Sequence, residues 1–279
     1  MVLFIPGFMQ RGDAWRPVAE LLPERYPSVL LDHGEHTLEG RLREIAEAAS
    51  AAEAGAGPGR IRRPGRARRE ICRPRSPAEP SPGSGTASPG APGSASGSVV
   101  LVGYSLGGRL ALRAAIREPQ RYAGLIAVSA TAGIDEPATR VARAEADERL
   151  AAWMEATPIV DIVAIWERQP LFADQSDALV EDQRPGRLSH DPAALALLLR
   201  TAGQGVLEPV WHELLRLDLP VLAIAGDRDE GYVRAARRIA ETAPRGRAAI
   251  VEEAGHAAHL QRPDEVARLI TEFLDAEVG

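Results

Sequence analysis

Six short, almost uninterrupted apolar runs recur along the chain, at residues 2–5, 29–31, 99–102, 125–128, 221–224 and 248–251. Runs of this length without polar alternation predict buried strands covered on both faces, as in a parallel sheet. Between them, apolar positions recur at helical spacing over 15–22, 38–49, 106–118, 232–242 and 263–276. Strand–helix alternation of this kind predicts an α/β fold built on a doubly wound, mostly parallel sheet. The rhythm breaks between 129 and 217. Helical patterns at 139–154, 160–167 and 192–201 follow one another there with no convincing strand. This predicts a helical cap over 130–217, inserted into a core made of 1–52, 99–129 and 218–279.

Composition sets one further segment apart. Residues 53–98 hold eight of the 22 Pro and nine of the 26 Gly, and Ile61, Ile71 and Cys72 are their only apolar residues besides Ala. Such a stretch buries too little surface to offset the entropy of ordering, so it predicts a disordered insertion. Its basic part, 60–75, reads either as a site for an anionic partner or as a solvated loop. The segment carries a charge of +5, which leaves the rest of a chain of net charge −6 strongly acidic. An acidic body excludes a nucleic-acid-binding role for the core, because phosphate contacts need a basic face.

No apolar run approaches the roughly 20 residues of a membrane-crossing helix. The start, Met1-Val2-Leu3-Phe4-Ile5, is broken by Pro6-Gly7 too early for a secretion signal. The single cysteine excludes an internal disulfide framework and a Cys-based zinc cluster, which fits a reducing cytoplasm. His33, His36, His190 and His212 show no metal-like spacing, so neither metal nor cofactor is expected; His36 lies in a loop able to reach a pocket.

The chemistry concentrates at Gly103-Tyr104-Ser105-Leu106-Gly107, which lies between a predicted strand and a predicted helix. A serine exposed on so sharp a turn needs glycine on both sides, since side chains there would collide with the turn. The N–H of Leu106 then points at a reacting oxygen, with the helix N-terminus adding positive potential. This elbow requires an acid and then a histidine later in the chain. Gly226-Asp227-Arg228-Asp229-Glu230 follows the fifth predicted strand and Gly255-His256-Ala257-Ala258-His259 follows the sixth. Asp229 lies deeper in its loop than Asp227, which reads as a turn former, so Asp229 is the candidate acid. His256 is the candidate base, and His259 reads as a structural hydrogen-bonding histidine. Phe8, in the loop after the first strand, is the candidate second oxyanion donor.

These residues resemble the α/β-hydrolase superfamily and, within it, the 2-succinyl-6-hydroxy-2,4-cyclohexadiene-1-carboxylate synthases, lyases of menaquinone biosynthesis. The narrower resemblance rests on the elbow with Arg109 after its double glycine and on Ser129-Ala130-Thr131-Ala132-Gly133-Ile134 with Arg143 and Asp147 following. It rests also on Trp166-Glu167-Arg168-Gln169-Pro170-Leu171-Phe172 and on the two late loops. Two loops depart from the family pattern, with Pro6 where a histidine is usual and Asp32-His33-Gly34-Glu35-His36 where the family commonly has Pro-Gly-His-Gly. The resemblance implies an α/β-hydrolase fold, a small-molecule substrate with several carboxylates, and elimination of pyruvate by Ser105, His256 and Asp229. It also implies carboxylate recognition by Arg109 and Arg143, since guanidinium binds carboxylate bidentately. Tyr104 and Trp166 are candidate pocket walls or core aromatics. The same triad would serve an esterase or thioesterase on a small acyl substrate. A catalytically dead hydrolase fold used for binding is the third reading.

Overall fold

The computed structural model describes residues 1–54 and 98–278. In chain order its strands and α-helices are β1 (Val2–Ile5), α1 (Arg16–Ala19), β2 (Ser28–Leu30), α2 (Leu38–Glu53), β3 (Val99–Tyr104), α3 (Leu106–Arg117) and β4 (Tyr122–Val128). Five helices follow, α4 (Pro137–Glu155), α5 (Ile159–Trp166), α6 (Asp177–Leu188), α7 (Pro192–Ala202) and α8 (Trp211–Leu214). The chain then closes with β5 (Pro220–Gly226), α9 (Glu230–Thr242), β6 (Arg245–Val251), α10 (Ala258–Gln261) and α11 (Pro263–Glu277).

The six strands form one parallel sheet in the order β2-β1-β3-β4-β5-β6. Alternation along each strand sends side chains to two separate cores. Leu3, Ile5, Leu101, Leu125 and Val221 pack with Leu42 and Ile45 of α2, Leu110 of α3 and Ile239 of α9. Val2, Phe4, Val102, Ile126 and Leu222 pack on the other face with Val18 of α1, Leu260 of α10 and Ile270 of α11. A third apolar cluster lies off the sheet: Ala151 and Met154 of α4, Ile162 and Val163 of α5 and Leu195 and Leu199 of α7 close on Met9.

Some readings of the sequence need correction. The runs at 29–31 and 248–251 are not covered on both faces: β2 is half-buried and β6 is largely exposed until Val251. Both are edge strands, flanked by a neighbour on one side only, so an apolar run overstated their burial. The helical pattern at 15–22 yields one turn, α1, continuing a 3-10 turn at Gly12–Trp15. The helix ends at Ala19, and Pro23 disfavours helical backbone at Leu22, the end the pattern predicts. Helix α6 was not foreseen at all, because its sequence is polar and carries Pro185 inside.

The predicted insertion 53–98 lies outside the described residues apart from its ends, Glu53 in α2 and Ser98 before β3. Among the described residues no helix is long and apolar enough to cross a membrane.

Candidate active site

Ser105 joins β3 to α3 with φ 50° and ψ −108°. L-residues rarely adopt such a conformation, and it persists only where the surroundings over-determine it. Here they do. A Cβ on Gly103 would lie 2.3 Å from the Gly107 carbonyl oxygen, and one on Gly107 would lie 2.3 Å from that of Ile5. The two glycines thus let α3 start hard against β3 and β1. The Ser105 N–H donates to the Val128 carbonyl at 2.9 Å, tying the turn to β4.

The late loops meet this turn. His256 Nε2 lies 3.1 Å from Ser105 Oγ, and His256 Nδ1 lies 2.7 Å from Asp229 Oδ2. Asp229 also caps α9, its Oδ1 accepting the Tyr232 N–H at 3.4 Å. Asp227 stands apart from His256: its Oδ1 accepts the Ala254 N–H at 3.1 Å, pinning the loop after β5 to the loop after β6. His256 is buried, with the rings of Tyr232 at 4.5 Å and Tyr104 at 5.3 Å. His259 is fully buried between Trp15 and Tyr104. Burial, with a smaller contribution from His256, pushes its pKa down to about 3, so it is neutral at ordinary pH.

Ser105 opens into a cavity of about 340 Å³ between the sheet's C-terminal edge and helices α4, α5 and α7. Phe8, Tyr104, Leu106, Arg109, Arg143, Trp166 and His256 all line it, whereas Asp229 sits behind His256. The N–H groups of Phe8 and Leu106 make no hydrogen bond among the described residues. Gly7 lets the Phe8 turn approach, since a Cβ there would sit 2.5 Å from the Tyr104 ring.

The two arginines differ. Arg109, one turn beyond Ser105 on α3, is buried, and its Nε has no hydrogen-bond partner among the described residues. Burial lowers its pKa, and Arg143 works in the same direction. Arg143, on α4, is half-exposed; its Nε pairs with Asp147 Oδ1 at 2.8 Å and its Nη1 donates to Gln204 Oε1 at 3.0 Å. Asp147 is buried and also accepts the Gly205 N–H at 3.2 Å. Trp166 packs on Phe8 and Phe172, with centroids 5.3 and 5.7 Å away, so it is both wall and support. Burial raises the pKa of the Tyr104 phenol, which stays neutral.

A sequence model of the alpha/beta hydrolase family matches residues 2–269. The chain belongs to the α/β-hydrolase family. Among its hydrolase-fold relatives, a Bacillus subtilis (strain 168) protein is 35% identical over 180 residues, 63% of this chain and 65% of that protein; its name assigns it, provisionally, 2-succinyl-6-hydroxy-2,4-cyclohexadiene-1-carboxylate synthase activity. A protein of Enterobacter sp. (strain 638) with that synthase's name is 32% identical, over 62% of this chain and 66% of the relative. The matched stretch therefore spans just under two thirds of these relatives' length. The solved structure of MenH from S. aureus superposes with a TM-score of 0.78 at 23% identity, covering 100% of this chain and 94% of that one. A thermophilic esterase from Thermogutta terrifontis superposes with a TM-score of 0.65 at 19% identity, over 100% and 90% of the two chains. The two structures establish the shared hydrolase fold.

Among the cavity-lining residues that the sequence did not assign to the site are Tyr232, Phe172 and Gln204. Tyr232 follows Asp229 by three residues and Phe172 ends the Trp166 motif, so both were within reach of a closer reading. Gln204 lies in a loop without any signal. His36, by contrast, does not line the cavity. His33 is engaged by Glu44 at 2.8 Å, and among the described residues no group of His, Cys, Asp and Glu forms a metal site.

Proposed function

We propose that this α/β-hydrolase family member is a 2-succinyl-6-hydroxy-2,4-cyclohexadiene-1-carboxylate synthase of menaquinone biosynthesis. In this reading it eliminates pyruvate from 2-succinyl-5-enolpyruvyl-6-hydroxy-3-cyclohexene-1-carboxylate. The observation that carries the reading is Arg109: a buried guanidinium without a carboxylate partner among the described residues, in the same cavity as Ser105 and His256. A buried unpaired cation is expensive, and an anionic substrate removes that penalty. A neutral ester gives it no partner.

Ser105, Asp229 and His256 are the catalytic residues. The imidazole, held by Asp229, accepts the Ser105 proton and so lets the serine oxygen take a proton from the carbon beside the succinyl carbonyl. Negative charge moves to that carbonyl oxygen, where the free N–H groups of Phe8 and Leu106 receive it. The electron pair then expels the enolpyruvyl oxygen, the carbon–oxygen bond breaks, and the departing enolate takes the proton held by His256 and becomes pyruvate. Arg109 and Arg143 hold carboxylates, while Tyr104 and Trp166 shape the walls. Helices α4 to α8 act as a cap, with 130–217 the cap and 1–52, 99–129 and 218–279 the core. The single cysteine is the reason to assign this chemistry to the reducing cytoplasm.

The test is pyruvate release from the enzymatically prepared precursor, run beside hydrolysis of p-nitrophenyl esters. The synthase reading expects fast pyruvate release and poor ester turnover. Efficient ester hydrolysis without pyruvate would replace it with the esterase alternative.

A further inference from the structure

The turn that presents the Phe8 N–H is unusual for its residues. Its closing hydrogen bond runs from the Gln10 N–H to the Gly7 carbonyl at 3.3 Å, and Met9, inside the turn, has φ 61°. A side chain longer than glycine is disfavoured at that φ, so the turn needs outside support. Gln10 supplies it twice. Its Oε1 accepts the Gly7 N–H at 3.3 Å, and its Nε2 lies 3.4 Å from His259 Nε2.

This chain of contacts fixes protons. Because Gly7 N–H is a donor, the Gln10 atom facing it is the oxygen, and the other end of the amide is a donor. His259 Nε2 must then be an acceptor, which places the imidazole proton on Nδ1. His259 Nδ1 is buried and has no partner among the described residues. The ring is therefore kept in the tautomer that leaves its own buried N–H unsatisfied. The titratable groups around it are the Tyr104 phenol and His256; no carboxylate among the described residues acts on it.

We propose that Gln10 and His259 are a positioning pair: His259, as a neutral acceptor, orients the Gln10 amide, which holds the Gly7–Gln10 turn and so aims the Phe8 N–H into the cavity. The pair links the oxyanion loop to the loop that carries His256, coupling the two halves of the site. It rests on the oxyanion role given to Phe8 above.

The experiment has one arm that does not depend on activity. In the wild type, ¹⁵N NMR of the histidine rings should find His259 neutral with its proton on Nδ1, and Gly7 amide exchange should accelerate in Gln10→Ala. In Gln10→Glu the new carboxylate still accepts the Gly7 N–H but cannot donate to His259, so His259 should bind a proton and titrate well above the wild-type value. In the kinetic arm, Gln10→Ala should lower kcat for pyruvate release about tenfold, with KM and the thermal midpoint little changed. A proton on Nε2 in the wild type, or unchanged Gly7 exchange in Gln10→Ala, would overturn the pair. Wild-type kcat in Gln10→Ala would overturn its role in the reaction. If the wild type releases no pyruvate, the synthase reading fails and the NMR arm still decides the pair.

Discussion

On the sheet side of the cavity, Ser105, His256 and Asp229 are fixed by backbone: an elbow packed against β1, a helix cap on α9 and a loop pinned by Asp227. On the helical side, Arg143 is fixed by side chains, in an ion pair with Asp147 and a hydrogen bond to Gln204 at the end of a half-exposed stem. Arg109 belongs to the sheet side: it is buried, and its Nε has no partner among the described residues. The contrast teaches where binding energy is stored. An anion reaching Arg109 meets a cation that is largely buried and has no carboxylate partner among the described residues. One reaching Arg143 must compete with Asp147 and with solvent, which screens that contact.

The strongest way to break the contrast is to strike the sheet side. Ser105→Ala and His256→Ala should each lower kcat by about 10³-fold or more, measured by pyruvate release, while circular dichroism stays native. Asp229→Asn belongs with them and Asp227→Asn does not; a reversal of those two would reassign the acid. Next comes the elbow's frame. Gly103→Ala or Gly107→Ala drives a Cβ into backbone and should destabilise by about 3 kcal/mol or more in urea titrations.

The arginines sharpen the comparison. Arg109→Ala should reduce kcat/KM by about 10- to 150-fold, from the 1.5–3 kcal/mol of a charge-assisted contact, and Arg109→Lys should recover only part. Arg143→Ala should lose less than tenfold, because its charge is already shared. Equal losses at both positions, or equal losses on a neutral ester, would erase the distinction between the two sides.

The smallest effect is on acid stability. Burial lowers the pKa of His33 to about 4 and of His259 to about 3. The unfolded chain, titrating near the ordinary histidine value of about 6.5, then binds more protons than the folded one. Their contribution to stability is complete above that value and declines as pH falls toward about 4 and 3. Each should steepen the loss by up to about 1.4 kcal/mol per pH unit. Urea midpoints between pH 7 and 5 in wild type and His259→Gln measure it, and a pH-independent difference between the two would contradict it.

Much of this was legible in the chain because a parallel sheet writes itself as apolar runs, and an elbow as glycines at fixed spacing. Ser105, Asp229 and His256 could be picked out by their order after three such runs. Exposure was harder. The run at 248–251 looks like those of the central strands, yet its position at the sheet's edge follows from topology and not from composition. Helix α6 escaped because tertiary contacts, including the buried Arg187–Glu167 pair at 3.0 Å, hold a polar sequence with an internal proline in helical form. Gln10 escaped because its partner is 249 residues away.

The two elbow glycines limit how this molecule can change. At Gly103 and Gly107 the space for a side chain is already filled by main chain, so no single replacement is tolerated, whatever its chemistry. Leu150 and Gln169 line the helical wall, where a side chain can shrink, lengthen or alter polarity with less demand on the backbone. A change of substrate is therefore expected to come from redrawing the helical wall, with Ser105 left where it is. A library randomised across the whole cavity and selected for turnover of an ester should return its winners from that wall.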